Sequence, residues 1–266
     1  MATIEAAGKN AIDPRAIAVR RCDDRTELEA CVRLQKEVWN FSDAELVPLP
    51  LFVVAQRIGG QVLGAFDGRE LVGFALAIPG ARASHPFLHS HMLAVRAGYR
   101  NRGLGRRIKL FQREDALARG FELIEWTFDP LEIKNAYLNL ERLGAIARRY
   151  NINQYGTMSS PLHGGLPTDR LVAEWWLRSR RVTTLMDTGG RPEFPVDQTV
   201  SVPAEIHHWK SSPLDRPQAL DLQVRNRGLL LDAFSRGLAA LGFARDQQGN
   251  GSFLLGRWDE NWSYAS

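Results

Sequence analysis

The sequence is poor in cysteine. Its 266 residues include only Cys22 and Cys31, nine positions apart. No Cys-x-x-Cys pair and no Cys/His metal spacing occurs, so two reduced thiols and no metal site are expected. Long apolar runs are also missing. No segment approaches a membrane span, and the N-terminus lacks the apolar core of a secretory signal. The expectation is a cytoplasmic protein with no membrane partner. Excess charge is absent too: the net charge of +4 permits an anionic ligand but does not single out nucleic acid. The basic residues are dispersed and no aromatic stacking platform is evident, so no nucleic-acid partner is expected. There is no internal repeat and no low-complexity tract. What is present is ordinary: 44% hydrophobic and 24% charged residues describe a globular chain of one large domain, or one domain plus a smaller one.

Residues 1–14 read as a loose, Ala-rich tail ending in Asp13-Pro14. Ile17–Arg21 alternates as a first strand. Asp24 then sits as an N-cap with Glu27 in the capping-box position, before Leu28, Cys31, Leu34, Val38 and Trp39 at helical spacing. Leu51–Ile58 predicts a second helix, ended by Gly59-Gly60. Asp67-Gly68 between Val62–Phe66 and Leu71–Ile78 predicts a hairpin. A loop at Pro79-Gly80 and Ser84-His85-Pro86 leads to a strand over Leu88–Val95, a helix over Arg106–Arg119 and a strand over Phe121–Phe128. Asp129-Pro130 breaks that strand, and Leu131–Leu143 reads as a helix stopped by Gly144. The remainder is less regular. Leu171–Trp176 fits strand or helix, Thr199–Val202 a short strand, and Leu220–Leu241 a helix with Gly242 as its stop. Phe243–Asp246 and Ser252–Trp258 read as a terminal hairpin. Pro161–Pro167 reads as a hinge between a unit over 15–160 and an extension over 161–266. Strands alternating with helices give an α/β class, and the hairpin makes the sheet mixed.

The most informative stretch is Arg100-Asn101-Arg102-Gly103-Leu104-Gly105, between the apolar run Met92–Val95 and a basic amphipathic helix. A strand, a Gly-rich turn and a helix in that order present backbone N–H groups at a helix N-terminus, where a phosphate or pyrophosphate binds. Glycine lets the backbone come close, and the arginines add charge. A Walker-type loop needs Gly-Lys-Ser/Thr after four residues, which is absent. A dinucleotide fingerprint would need glycine where Ile108 stands. Arg-x-x-Gly-x-Gly, formed by Arg100, Gly103 and Gly105, fits in full.

The segment from His89 to Arg119 resembles the acetyl-CoA-binding motif of the GNAT superfamily of N-acetyltransferases, the order of elements from Ile17 to Leu143 is similar to that fold, and the resemblance covers roughly 17–180. The long stretch beyond makes the chain an atypical relative. The resemblance implies a mixed, mostly antiparallel twisted sheet flanked by helices. It implies that backbone N–H groups from Arg102 through Gly103, Leu104 and Gly105 to Arg106 hold the pyrophosphate of acetyl-CoA or another acyl-CoA as co-substrate. The main chain of Met92, Leu93, Ala94 and Val95 would pair with the pantetheine arm, whose amides suit an unpaired strand edge.

Amide formation from a thioester needs a neutral amine, and an ammonium has a pKa near 10, so a base is required. His89 and His91 share one strand face. His-x-His-Met-Leu-Ala-Val is similar to the arylalkylamine N-acetyltransferase branch, where paired histidines deprotonate the amine through water. Glu125, which shares a face with Thr127, is a second base candidate, with a salt-bridge partner as the other reading. Asn135 and Asn139, at i and i+4, would share a helix face and bind the CoA arm, or simply face solvent. Leu143-Gly144 is similar to the end of the family's second motif. There is one departure. Many relatives carry a tyrosine acid four residues before that glycine, and here Leu140 stands there. Tyr137 is the first substitute, with Tyr150, Tyr155 or water as others. The extension holds Trp175, Trp176 and Trp209 with Arg178, Arg180 and Arg181. It can complete an acceptor pocket or form a homodimer contact. Its arginines permit an acidic acceptor or a carboxylate-bearing donor such as succinyl-CoA. The leading expectation is an N-acyltransferase acting on a small amine or amino acid. The alternative is a CoA-binding or sensor protein that keeps the fold without catalysis.

Overall fold

The alternating apolar residues on either side of Gly68 build the first long hairpin. β2 (Gln61–Asp67) and β3 (Glu70–Arg82) pair around a glycine at φ 58°, with Phe66 opposite Leu71 and Asp67 opposite Glu70. A φ in the left-handed region suits glycine at a tight turn. The computed structural model describes residues 16–82, 85–156 and 164–262. The expected tail over 1–14, the centre of the loop at Ser84 and the first part of the expected hinge lie outside the described residues.

β1 (Ala18–Arg21) adds antiparallel to β2, and β4 (His85–Val95) adds antiparallel to β3. Between them in sequence come α1 (Arg25–Trp39) and α2 (Leu49–Arg57). The Asp24 carboxylate accepts from the Glu27 N–H at 2.9 Å, so the N-cap forms, and Glu27 accepts in return from the Asp23 N–H at 2.8 Å. Both helices pack on one face of β2–β4 through Leu28, Leu34, Phe52, Phe74 and Leu76. Cys22 and Cys31 lie in that cluster as free thiols with sulfurs 3.9 Å apart. α3 (Leu104–Ala118) packs on the opposite face through Leu104 and Ile108 against Leu63, Ala65, Val72 and Ala75.

β5 (Leu123–Phe128) lies parallel to β4. β7 (Arg170–Trp176) follows it in space, then β6 (Ile146–Asn151), both antiparallel to their neighbours. The sheet continues through β9 (Leu238–Arg245), β10 (Gly251–Arg257) and β8 (Gln198–Val202), giving the order β1-β2-β3-β4-β5-β7-β6-β9-β10-β8. The largest core runs beneath β5 to β10 and includes Trp126, Trp175, Leu140, Phe243 and Phe253. This is the mixed, mostly antiparallel sheet flanked by helices.

Several local expectations change. The helix after β5 is short, α4 (Ile133–Tyr137), and widens into a π-helical turn over Leu138–Arg142. Asn135 is exposed and Asn139 buried, so they do not share the solvent face that i, i+4 spacing implied. Residues 146–151 form a strand, and α5 (Arg180–Thr188) and α6 (Ile206–Ser211) were not anticipated. α7 spans Arg216–Ser235 and stops at Gly237, φ 80°, whereas Gly242 lies inside β9. β9 therefore begins at Leu238, earlier than the expected hairpin strand. The segment read as a hinge lies in sequence between β6 and β7, which pair with each other. No helix among the described residues is long and apolar enough to cross a membrane.

Candidate functional site

The site begins where two parallel strands part. β4 and β5 pair only at Leu88–Ile124 and His89–Glu125, although β4 runs on to Val95 and β5 to Phe128. Past His89 the facing edges diverge and leave main-chain groups unpaired across the gap. The Arg96 N–H bonds the Val72 carbonyl of β3 at 2.9 Å. Alternation along an antiparallel ladder then directs Met92 and Ala94 to β3, and Leu93 and Val95 to the gap. Of the four residues expected to meet a pantetheine arm, two present their backbone to it. The Val95 carbonyl accepts from Arg100 Nε at 2.8 Å.

A register shift against β3 sets the side chains. Leu76 opposes Met92 and Ala77 opposes Ser90, so His91 is an extra, bulged residue. A bulge inverts which face later residues occupy. Ser90 therefore points toward α3, as do Leu93 and Val95 beyond the bulge. His89 and His91 look out from the other face with ring centroids 6.0 Å apart.

The gap opens onto the N-terminus of α3. Gly103 is its N-cap at φ 78°, following Asn101 at φ 61°, and among the described residues no side chain caps the helix. The N–H groups of the first turn, Leu104, Gly105 and Arg106, have no intrahelical acceptor at this position. Arg100, Arg102 and Gly103 are exposed around them. A Cβ at Gly103 would meet no atom within 4 Å, so space remains for a ligand over the turn. These donors and this space fit a pyrophosphate. Arg106 Nε donates to the Arg142 carbonyl at 3.2 Å, tying α3 to the π-helical turn.

Residues 26–138 match the model of the Acetyltransferase (GNAT) family. Over that stretch, less than half of its length, the chain is similar to the GNAT acetyltransferases. No curated protein matches the sequence. Among solved structures, the ribosomal-protein-S18-alanine N-acetyltransferase from Escherichia coli is 15% identical, with 61% of this chain and 95% of that chain covered at a TM-score of 0.49. YncA, described as a putative acetyltransferase from Salmonella typhimurium with its cofactor acetyl-CoA, is 14% identical, with 62% and 96% covered and a TM-score of 0.49. An N-acetyltransferase from Staphylococcus aureus Mu50 is 15% identical, with 61% and 99% covered and a TM-score of 0.48. The GNAT family match ends at Leu138, so β6 to β10 lie outside it.

On the face of the sheet that carries the histidines, charges are closely paired. Glu125 is 3% exposed and accepts from Arg82 Nη1 at 2.9 Å and from Arg149 Nη2. Glu174, its partner across β5–β7, accepts from Arg149 Nε at 3.0 Å, Arg148 Nη2 at 2.9 Å and Trp176 Nε1 at 3.1 Å. Glu125 is thus held in place as the ion-pair partner of two guanidinium groups. Burial, then the neighbouring His91, pushes the His89 imidazole down to about 4. Burial also lowers His91, whose ring is solvent-accessible but crowded by protein atoms. Arg149 is raised by Glu174 and Glu125 against the opposing effect of its burial.

Tyr137 ends α4, and Leu140 lies in the π-helical turn that follows. Leu140 is fully buried in the large core. Tyr137 packs on the same core, with the Arg245 guanidinium 5.9 Å from its ring centre. Tyr150 donates to the buried carboxylate of Asp169 at 2.7 Å, and burial with that bond raises its pKa. Tyr155 is different: it is 43% exposed, and its hydroxyl is 3.2 Å from Thr127 Oγ1 on the diverging half of β5. The arginine network was not read from the sequence, because Arg148 and Arg149 meet Glu174 and Glu125 only through the pairing of β6, β7 and β5. Among the described residues no cluster of three or more His, Cys, Asp or Glu side chains could hold a metal ion.

Proposed function

We propose that the protein is an N-acyltransferase that moves an acyl group from acyl-CoA to the amine of a small molecule or amino acid. Acetyl is the first donor to consider and succinyl the second. The amine nitrogen attacks the thioester carbonyl, the N–C bond forms, and the C–S bond breaks as CoA leaves as a thiolate. The observation that carries this reading is the divergence of β4 and β5 beyond His89 and Glu125, opening directly onto the uncapped N-terminus of α3.

His91 takes the proton that the acceptor's ammonium gives up before its neutral nitrogen attacks, directly or through one water, because it is the accessible member of the histidine pair. His89, with a pKa near 4, stays neutral at pH 7 and orients that water. Glu125 acts through Arg82 and Arg149 as a positioning group, since a carboxylate held by two guanidiniums is a poor base. Tyr155, rather than Tyr137, supplies a proton to the thiolate, supported by its contact with β5. The Arg148 contact to the Trp262 carbonyl supports an acceptor pocket, rather than a dimer contact, as the role of the extension.

A specific observation favours a second reading. The position where many relatives carry a tyrosine acid is Leu140, sealed in the core. A GNAT-fold protein that binds CoA without turnover is consistent with that. Calorimetric titration with CoA, together with thiol release from acetyl- and succinyl-CoA across amines and amino acids, separates the two. Binding with turnover supports the transferase. Tight binding without thiol release for any amine supports the sensor. No CoA binding overturns both.

A further inference from the structure

Behind the point where the strands part lies a buried amine. Lys109, on the second turn of α3, is 3% exposed. Its Nζ donates to Ser90 Oγ on β4 at 2.8 Å and to Gln112 Oε1 at 3.0 Å. It also lies 3.6 Å from the ring centre of Trp126 on β5. Ser90 and Trp126 are the residues that immediately follow the last matched pair, His89–Glu125. One atom from α3 therefore touches both strands at the first step where pairing fails.

We propose that Lys109 is the positioning residue that holds β4 and β5 apart, so that the cleft stands open before acyl-CoA enters. This rests on the acyl-CoA reading of the cleft. A ladder continuing past His89 and Glu125 would bring the backbones of Ser90 and Trp126 to the usual spacing of about 4.8 Å. The hydrogen bond to Ser90 anchors one strand. The amine, 3.6 Å from the ring centre, props the indole of the other. A buried lysine is a costly way to fill space: burial drives its pKa well below that of an ordinary lysine. Methionine would fill the same volume without that cost. What the amine adds is a hydrogen bond to Ser90 on one side of the gap while it stays against the Trp126 ring on the other. Among the described residues Gln112 Nε2 is buried without a hydrogen-bond partner, as expected if its carbonyl is turned toward Lys109.

The test uses the full chain with Lys109→Met and Ser90→Ala. Calorimetry with CoA and hydrogen exchange of the β4 and β5 amides are measured on each. Exchange at residues 91–95 and 126–128 is expected to slow in Lys109→Met as the strands pair, and CoA affinity to fall about tenfold or more. KM for the acyl donor rises more than kcat falls. Ser90→Ala shifts both readouts the same way by less. Unchanged exchange and affinity in a folded Lys109→Met protein overturn the proposal. If that variant does not fold, unchanged values in Ser90→Ala overturn it instead. Wild-type protein that binds no CoA overturns the acyl-CoA reading, while the exchange comparison still decides what Lys109 does.

Discussion

His89 and Glu125 are the last matched pair of the parallel β4–β5 ladder, and their charges are met in opposite ways. Glu125 is clamped by Arg82 and Arg149. Beside it, burial and the neighbouring His91 keep His89 uncharged. The pair thus places a fixed anion and a neutral imidazole side by side where the strands part.

The histidine makes folding sensitive to acid. Its pKa is about 4 in the folded protein against 6.5 for an unperturbed imidazole, so the unfolded chain takes up the proton first as pH falls. The resulting stability is complete above pH 6.5 and is lost between 6.5 and 4, at most about 3 kcal/mol. Urea unfolding across that range should show a smaller acid-side decline in His89→Gln. An identical decline in both proteins would remove His89 as its source.

Glu125→Gln leaves Arg82 and Arg149 facing a neutral amide and should cost about 2–3 kcal/mol, the guanidiniums keeping part of their hydration. Glu174→Gln acts on the shared Arg149. The double variant should therefore lose less than the sum of the two in denaturant titrations. Strict additivity would mean that the two carboxylates do not share that arginine.

Gly103→Ala places a Cβ on a left-handed residue and should cost about 1 kcal/mol. It should also weaken CoA binding by displacing the first-turn amides. Gly98→Ala is the control, because that glycine has open space and no positive φ. Equal CoA affinities in the two variants would take the anion site away from the α3 N-terminus.

In steady-state assays, His91→Ala should lower kcat/KM about 100-fold or more and abolish its acid limb. Tyr155→Phe should lower kcat with little effect on CoA affinity. Wild-type pH profiles in both variants would remove these residues from proton transfer.

Lys210, 6% exposed on α6, donates to Asp129 at 2.9 Å and Glu132 at 2.6 Å in the β5–α4 connection. These carboxylates raise its pKa against the effect of burial. Its contribution is present below pH 10.5 and fades as pH rises past the elevated folded value. Lys210→Met strands two carboxylates and should cost about 3 kcal/mol at pH 7. A loss of less than about 1 kcal/mol in thermal unfolding would show that this triad does not fasten the extension.

The first half of the fold was legible because its signals are local. Asp24, Asp67-Gly68 and Gly103 mark a cap, a turn and a helix start by their own chemistry, and apolar spacing does the rest. The second half hides its pattern. In Ile146–Asn151 two arginines interrupt the apolar alternation, and only the glutamates on β5 and β7 make them compatible with a buried strand. α5 is so polar that its apolar stripe is only Val182, Leu185 and the half-buried Met186. Gly242 looked like a helix stop because a glycine after apolar spacing reads the same in a strand. The bulge at His91 and the choice among three tyrosines depend on registers and distances between distant segments, which spacing along the chain does not encode.

The join between β6 and β9 has a consequence for solubility. β6 would otherwise be the open margin of the strands from β1 to β7, and its backbone would be free to recruit another chain. β9 occupies that margin through the Ala147–Ala240 pairing, and Arg181 reaches from α5 to the carbonyls of Gly144 and Leu140 beside it. A protein cut after β7 would keep every proposed catalytic residue and still be poorly behaved, gathering into sheet-to-sheet aggregates. The extension acts here as a selvedge that keeps the fabric from unravelling into its neighbours.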